Sequence, residues 1–334
     1  MASGDQCLGG ESVKTRVIFD SDVIGDDILA IVSGAGIGDL DLCGVTTYGR
    51  RIGSRERAAI AAGVLDSVGR AAIPVAAGAN APLLRDARVG CIKCDQPIMK
   101  FRTMYPGCPA TDDAFRERVD PRPAYRFICD TIQEHPGEIT VVCTGPLTNL
   151  ALALQDTPEI TNMVRDVVIM GGAAWVGGNV TPVAESNIYA DPEAAEIVFR
   201  KMRSVTMVGL DVTLQVRVVM DDMADALDGK EGPLWTMAHG IIRSCIEAQV
   251  ERGRPASMPL HDPLALLVAV DPSLVETAEC RVAVERCGEY TDGETVCYPV
   301  DVYHDSIPGA LVRVAKSVDI DRATDAFLNS LRLQ

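Results

Sequence analysis

The chain has 334 residues, 47% of them hydrophobic but only 4% aromatic, and a formal net charge of −16. That length allows one large α/β domain or two smaller ones, with a core that must rest on Ala, Val, Ile and Leu. The acidic balance excludes nucleic acid and anionic membrane surfaces as partners, because both call for basic patches. Residues 1–15 are polar and Gly-rich and read as a flexible N-terminus without an apolar secretory core. No stretch approaches the ~20 apolar residues of a membrane span. A cytoplasmic location is therefore expected.

From residue 16 onward, short apolar runs alternate with longer amphipathic ones. Residues 17–19 read as a strand and 26–33 open a helix. Strand 42–47 precedes an Ala-rich helix over 54–68, and 73–76 is a third strand. Helix 125–134 stops before Pro136-Gly137, followed by strand 139–143 and helix 147–154. Strand 167–170, helix 192–199 with Pro at its start, and strand 205–208 continue the rhythm. Alternation of this kind implies a mostly parallel central sheet with helices on both faces. No repeat or Pro/Ser linker interrupts it, so residues 16–334 are expected to form a single α/β domain. Two stretches, 83–120 and 216–259, break the rhythm. The second is helical in its middle, over 234–250. Long excursions at a sheet rim often serve as lids or binding loops.

The eleven Cys contain one CxxC, Cys91 and Cys94, with no second pair nearby, so reduced thiols are expected rather than a zinc site. Asn179-Val180-Thr181 fits a glycosylation acceptor, a coincidence in a chain without a secretory signal.

Four carboxylates, Asp20, Asp22, Asp26 and Asp27, fall within eight residues, between an apolar strand and an apolar helix. A helix cap needs one of them. Four require neutralising, and a hard divalent cation with oxygen ligands does this. Asp22 and Asp27 could share the ion, leaving Asp26 to accept from a substrate hydroxyl. Thr144-Gly145-Pro146-Leu147-Thr148-Asn149 is a tight strand-to-helix turn that leaves the Thr144 carbonyl at the sheet edge, an acceptable Ca²⁺ ligand. Next come Met170-Gly171-Gly172, Gly178-Asn179 and Glu185-Ser186-Asn187. Asn179, Glu185 and Asn187 offer donors and acceptors that suit a sugar, with neither the Lys nor the amide cradle of a phosphate loop. His261-Asp262-Pro263 opens an apolar stretch. A His there could protonate a leaving group, and Asp262 could close a metal shell.

In this order these motifs resemble the inosine-uridine-type nucleoside hydrolases. The family's D-x-D-x-x-x-D-D is matched by Asp20, Asp22, Asp26 and Asp27, and its G-P-L-T-N by Gly145 to Asn149. M-G-G through E-x-N-x-x-x-D-P-E-A-A matches Met170 to Ala195, V-G-L-D-x-T matches Val208 to Thr213, and H-D-P matches His261 to Pro263. The resemblance implies a Rossmann-like nucleoside hydrolase fold and Ca²⁺ held by Asp22, Asp27, Asp262 and the Thr144 carbonyl. Asp22 would be the general base toward water. Asp26, Asn179, Glu185 and Asn187 would hold the ribose, with Met170 beneath it and Asp20 behind the ligands. His261 would be the general acid at the nucleobase. The implied reaction converts ribonucleosides to ribose and free base. Inosine and guanosine are the expected substrates, with uridine as well, in salvage by a homodimer or homotetramer. The Ala-rich helix 54–68 is a possible interface.

The chain departs from that pattern. Pro-Gly after the second Asp is Val23-Ile24 here. V-T-T-x-x-G-N is one residue shorter, with Arg50 or Arg51 near the lost Asn. Ser186 replaces a Phe, a His-Gly is missing from 90–104, and 234–250 lacks Tyr. Two rivals follow from the residues. Phe19-Asp20-Ser21-Asp22-Val23 also fits the first motif of haloacid-dehalogenase-type phosphatases, with Asp20 as phosphoryl acceptor. The altered turn would also suit a nucleoside-binding protein without turnover, although binding alone needs neither base nor acid.

Overall fold

Apolar residues alternate along the first strand, and the two sides of that alternation bury into two different cores. The computed structural model describes residues 14–50, 52–86, 113–300 and 310–332. Strand β1 (Thr15–Ser21) sends Val17 and Phe19 to one core and Ile18 to the other. β2 (Leu40–Thr47), β3 (Val75–Ala77), β4 (Ile139–Cys143), β5 (Asp166–Met170) and β6 (Val205–Val208) follow, each within two residues of the expected bounds. Helices Asp26–Gly36, Ser54–Ser67 and Asp262–Val270 cover one face, and helices Ala124–Glu134, Thr148–Asp156 and Pro192–Lys201 cover the other. A sheet buried on both faces explains why its strands read as near-continuous apolar runs.

The strands lie in the order β3-β2-β1-β4-β5-β6, all parallel. Chain direction across the sheet reverses between β1 and β4. In open α/β sheets that reversal leaves a crevice at the carboxyl ends of the strands. The Asp-rich turn after β1 and the Thr144 turn after β4 both open into it.

The C-terminal quarter extends the sheet in a way no apolar run announces. β11 (Ala310–Val318) pairs parallel to β6. Antiparallel β9 (Val275–Val284) and β10 (Thr295–Pro299) complete nine strands. Toward its end β9 alternates buried and partly exposed residues, as an antiparallel strand with one solvated face does. Helix Ile320–Arg332 closes the chain by burying Phe327 and Leu331. A two-stranded ribbon, β7 (Arg217–Val218) with β8 (Met258–Pro259), brackets the long helix Pro233–Glu251, which matches the helix expected over 234–250.

The apolar side chains of the Ala-rich helix Ser54–Ser67 are committed to the protein's own core. Ala58 to Ala62, Val64 and Leu65 are all buried in the protein's own core. Its small side chains allow close packing within that core. Among the described residues, no helix is long and apolar enough to cross a membrane, and no disulfide joins any two of the seven described cysteines. Cys91, Cys94 and the stretch 90–104 lie outside the described residues.

β2 slips register against β1 between Val17 and Ile18, so that Gly44 faces Ile18. A Cβ at Gly44 would run into the Phe127 ring of the covering helix. Gly44→Ala should therefore cost about 1–3 kcal/mol by overpacking, a fall of roughly 1–4 °C in Tm for a chain of this length. Calorimetry measures it, and an unchanged Tm would contradict that contact.

Candidate active site

Between β1 and helix Asp26–Gly36 the backbone turns through residues 22–25. Val23 has φ 48° and Gly25 φ 60°. Gly25 adopts this region freely, whereas a β-branched residue there costs about 1–2 kcal/mol. The turn keeps Val23 because its side chain is fully buried and its N–H donates to Ser21 Oγ at 2.8 Å. The Val23-Ile24 departure thus preserves the length of the turn and places the left-handed residues at Val23 and Gly25.

Each aspartate of the turn has a distinct fixing. Asp20, 1% exposed, takes hydrogen bonds on Oδ1 from Thr46 Oγ1 at 2.6 Å and Asn149 Nδ2 at 2.8 Å. Burial pushes its pKa up to about 6, with those two bonds opposing the rise. A carboxylate so enclosed cannot attack a phosphorus atom, which removes the phosphatase reading. Asp27 accepts from Ser21 Oγ and Thr144 Oγ1, both at 2.6 Å, and from the Ile24 N–H at 3.0 Å. Its pKa is raised, first by burial and then by the charges of Asp22 and Asp26. Asp26 Oδ2 accepts the backbone N–H groups of His261 at 3.3 Å and Asp262 at 3.4 Å. This joins two helix starts that lie 236 residues apart in the chain. Asp262 is buried and its pKa is raised, by burial first and then by Asp26, Asp27, Asp22 and Glu185.

Asp22 points among cations. Arg57, with no exposed side-chain surface, donates through Nη1 to the Asp22 carbonyl and through Nε to the Ile52 carbonyl at 3.1 Å. The same Nη1 lies 3.9 Å from Asp22 Oδ1, and Arg50 Nε lies 3.8 Å from Asp22 Oδ2.

The far wall follows β5. Glu185 caps the short helix Ser186–Ala190 and accepts the N–H groups of Gly172 at 3.1 Å, Asn187 at 2.9 Å and Ile188 at 3.2 Å. Burial raises its pKa, against those bonds and the charge of Arg50. Asn187 Nδ2 donates to the Thr144 carbonyl at 3.0 Å and the Met170 carbonyl at 3.1 Å. A carbonyl has two lone pairs, so Thr144 keeps one for another partner. Met170 is buried beside them. Asn179 differs from the rest. It is exposed, and its Oδ1 accepts the Ser186 N–H at 2.9 Å, so it braces the loop that carries Glu185 and Asn187. His261 is half-buried, with Nδ1 2.8 Å from Thr213 Oγ1. Burial lowers its pKa, Asp26 opposes that, and Arg217 adds to it.

Asp22, Asp26, Asp27, Asp262 and Glu185 therefore form one electrostatic cluster at the sheet's switch point. Among the described residues, no three His, Cys, Asp or Glu side chains stand in ligating arrangement about a single point. They are neighbours by charge rather than by closed geometry. Sequence reasoning missed Arg57, Thr213 and the Asn149 amide. Arg57 lies in a helix that reads as solvated on its charged face. The Asn149 amide was hidden in a turn motif whose Gly and Pro drew the attention. Arg51 lies outside the described residues.

A nine-stranded α/β sheet with an acidic crevice at its switch point defines a class of small-molecule enzymes. The model of the inosine-uridine preferring nucleoside hydrolases matches residues 17–325. The chain belongs to that family and is a ribonucleoside hydrolase. It is 35% identical over 313 residues to the pyrimidine-specific ribonucleoside hydrolase RihA of Citrobacter koseri, covering 92% of this chain and 94% of that one. A plant nucleoside hydrolase structure superposes with a TM-score of 0.79 at 30% identity, over 95% of this chain and 99% of that one. The purine-preferring ribonucleoside hydrolase of Gardnerella vaginalis superposes at 0.80 with 28% identity, over 95% and 98%.

Arg57 anchors the turn, and Arg57→Met would leave the Asp22 and Ile52 carbonyls without their buried donor. The expected loss is about 3 kcal/mol of stability, read as a lower urea midpoint. Hydrolysis should fall further than the loss of folded protein explains. An unchanged midpoint would contradict the anchor.

Proposed function

We propose that this enzyme hydrolyses the N-glycosidic bond of ribonucleosides with Ca²⁺ as its ion, releasing ribose and free base. The observation that carries the reading is the meeting of Asp22, Asp26 and Asp27 with Asp262, from opposite ends of the chain, in one buried cluster. Their donor chemistry fits a hard cation. All the ligating atoms are oxygens, with no sulfur or nitrogen among them, and burial, followed by the charges of the neighbouring carboxylates, raises the pKa of Asp27 and of Asp262. A Ca²⁺ ion held by Asp22, Asp27, Asp262 and the Thr144 carbonyl would supply Lewis acidity and neutralise that charge.

The remaining steps belong to side chains. Asp22 takes a proton from the attacking water. Asp26, Asn179, Glu185 and Asn187 hold the ribose hydroxyls, with Met170 beneath the ring. Bond breaking builds positive charge on the sugar, as in other glycosyl transfers, and the surrounding carboxylates stabilise it. Asp20 keeps the end of β1 in place through Thr46 and Asn149. His261 serves the leaving base. As the imidazolium, His261 donates from Nδ1 to Thr213 Oγ1 and passes its Nε2 proton to the departing base, leaving a neutral ring.

Inosine, guanosine and uridine, whose bases all carry a keto oxygen, are the proposed substrates. The pyrimidine-specific naming of the Citrobacter relative supports uridine, and the purine-preferring naming of the Gardnerella enzyme supports the other two. The reading places a homodimer or homotetramer in cytoplasmic nucleoside salvage. A monomer in analytical ultracentrifugation would remove the oligomer.

Release of ribose from uridine and inosine should stop on chelation and return with Ca²⁺. Binding without any release would leave the non-hydrolysing alternative. Asp22→Asn should lower kcat/KM by roughly 10³-fold while leaving the fold intact. Retained turnover would exclude Asp22 as the base. His261→Ala should impair inosine far more than p-nitrophenyl riboside, whose leaving group needs no proton. Equal losses on the two substrates would sink the general-acid role.

A further inference from the structure

Among the described residues, Arg50 is the guanidinium of the site with buried donors left unspent. Its side chain is 8% exposed, and Nε and Nη2 are buried without a hydrogen-bond partner among the described residues. Buried donors are nearly always paired, and each one that is not costs free energy. The nearest carboxylate does not satisfy Arg50. Asp22 Oδ2 lies 3.8 Å from Nε, beyond hydrogen-bond length, whereas Arg–carboxylate pairs normally close to ~2.8 Å, often through two parallel bonds. Contrast Arg57, which spends Nη1 and Nε on two carbonyls. The backbone holds Arg50 firmly at the sheet edge. Tyr48 N–H donates to the Ser21 carbonyl, Gly49 N–H to that of Ala79, and Arg50 N–H to that of Ile52.

The charge of Arg50 is also felt across the crevice, where it opposes the rise that burial gives the pKa of Glu185. The guanidinium thus lies 3.8 Å from Asp22 on the β1 turn and acts by its charge on Glu185 of the β5 loop, the two walls of the crevice. Glu185 has its own oxygens committed to three backbone N–H groups. An acceptor arriving between those walls would find Arg50 as the donor with free N–H groups.

We infer that Arg50 is a substrate-binding residue whose Nε and Nη2 donate to an oxygen of the ribose. The inference rests on the ribonucleoside-hydrolase reading and adds to it a further sugar-binding donor. A full positive charge beside the sugar opposes the ribosyl cation, so Arg50 acts in binding and orienting the ground state more than in lowering the barrier. Its loss should appear in KM rather than in kcat.

The test measures KM and kcat for uridine or inosine, and inhibition constants for D-ribose and its 2-, 3- and 5-deoxy forms, with wild type, Arg50→Gln and Arg50→Lys. Arg50→Gln should raise KM roughly tenfold to a hundredfold, with kcat changed by less than about threefold. The same factor should weaken binding of D-ribose and vanish for one of the three deoxy sugars, the one lacking the oxygen that Arg50 holds. Arg50→Lys should recover part of the loss and guards against a Gln variant that folds poorly. An unchanged KM, or an equal penalty on D-ribose and all three deoxy sugars, would overturn the inference, since a merely structural role would weaken every ligand alike. A wild type that releases no ribose would instead overturn the hydrolase reading.

Discussion

Mutual repulsion among buried carboxylates is the constraint on which this structure turns. Asp27 and Asp262 are each raised in pKa by burial and by the same neighbours, Asp22 and Asp26. Such a cluster cannot assemble by attraction among its members, so it must be imposed by the backbone. The means are visible. Arg57 grips the Asp22 carbonyl, Ser21 and Thr144 close on Asp27, and Asp26 receives the N–H groups of His261 and Asp262. The last contact joins the first helix to one that begins 226 residues after it ends, Asp262 against Gly36. The energy stored there is what a divalent cation would release on binding, and the oxygen donor set suits one.

That cost is met by the two apolar cores. β1 is buried on both faces, and helix Asp262–Val270 is apolar nearly all round because it packs against helix Asp26–Gly36 as well as against the sheet. The reversal of strand order between β1 and β4 supplies the crevice, and the turns after β1, β2, β4 and β5 supply its chemistry. A strained Val23 in that turn fits the same pattern, since rigid surroundings can hold a backbone conformation that the residue alone would avoid.

Much of this could be read from the residues. The Asp spacing located the turn, and the alternation of apolar runs located six parallel strands to within two residues. Three features were not legible, for physical reasons. β9, β10 and β11 are amphipathic or lie near the sheet edge, so no continuous apolar run marks them. Arg57 belongs to a helix whose other charges are solvated, and burial of one cation among alanines leaves no periodic signal. Arg50 could be placed near the site, but its unpaired donors appear only when its neighbours are in three dimensions. Asn179 shows the reverse. Its type is legible as suited to a sugar, whereas the bracing of the Ser186 backbone by its amide oxygen is not.

Crystals of the protein grown with Ca²⁺ and measured for anomalous scattering would test the central claim most directly. The account predicts one peak about 2.3–2.6 Å from carboxylate oxygens of Asp22, Asp27 and Asp262 and from the Thr144 carbonyl. Absence of that peak at saturating Ca²⁺, or a peak held by other residues, would contradict it.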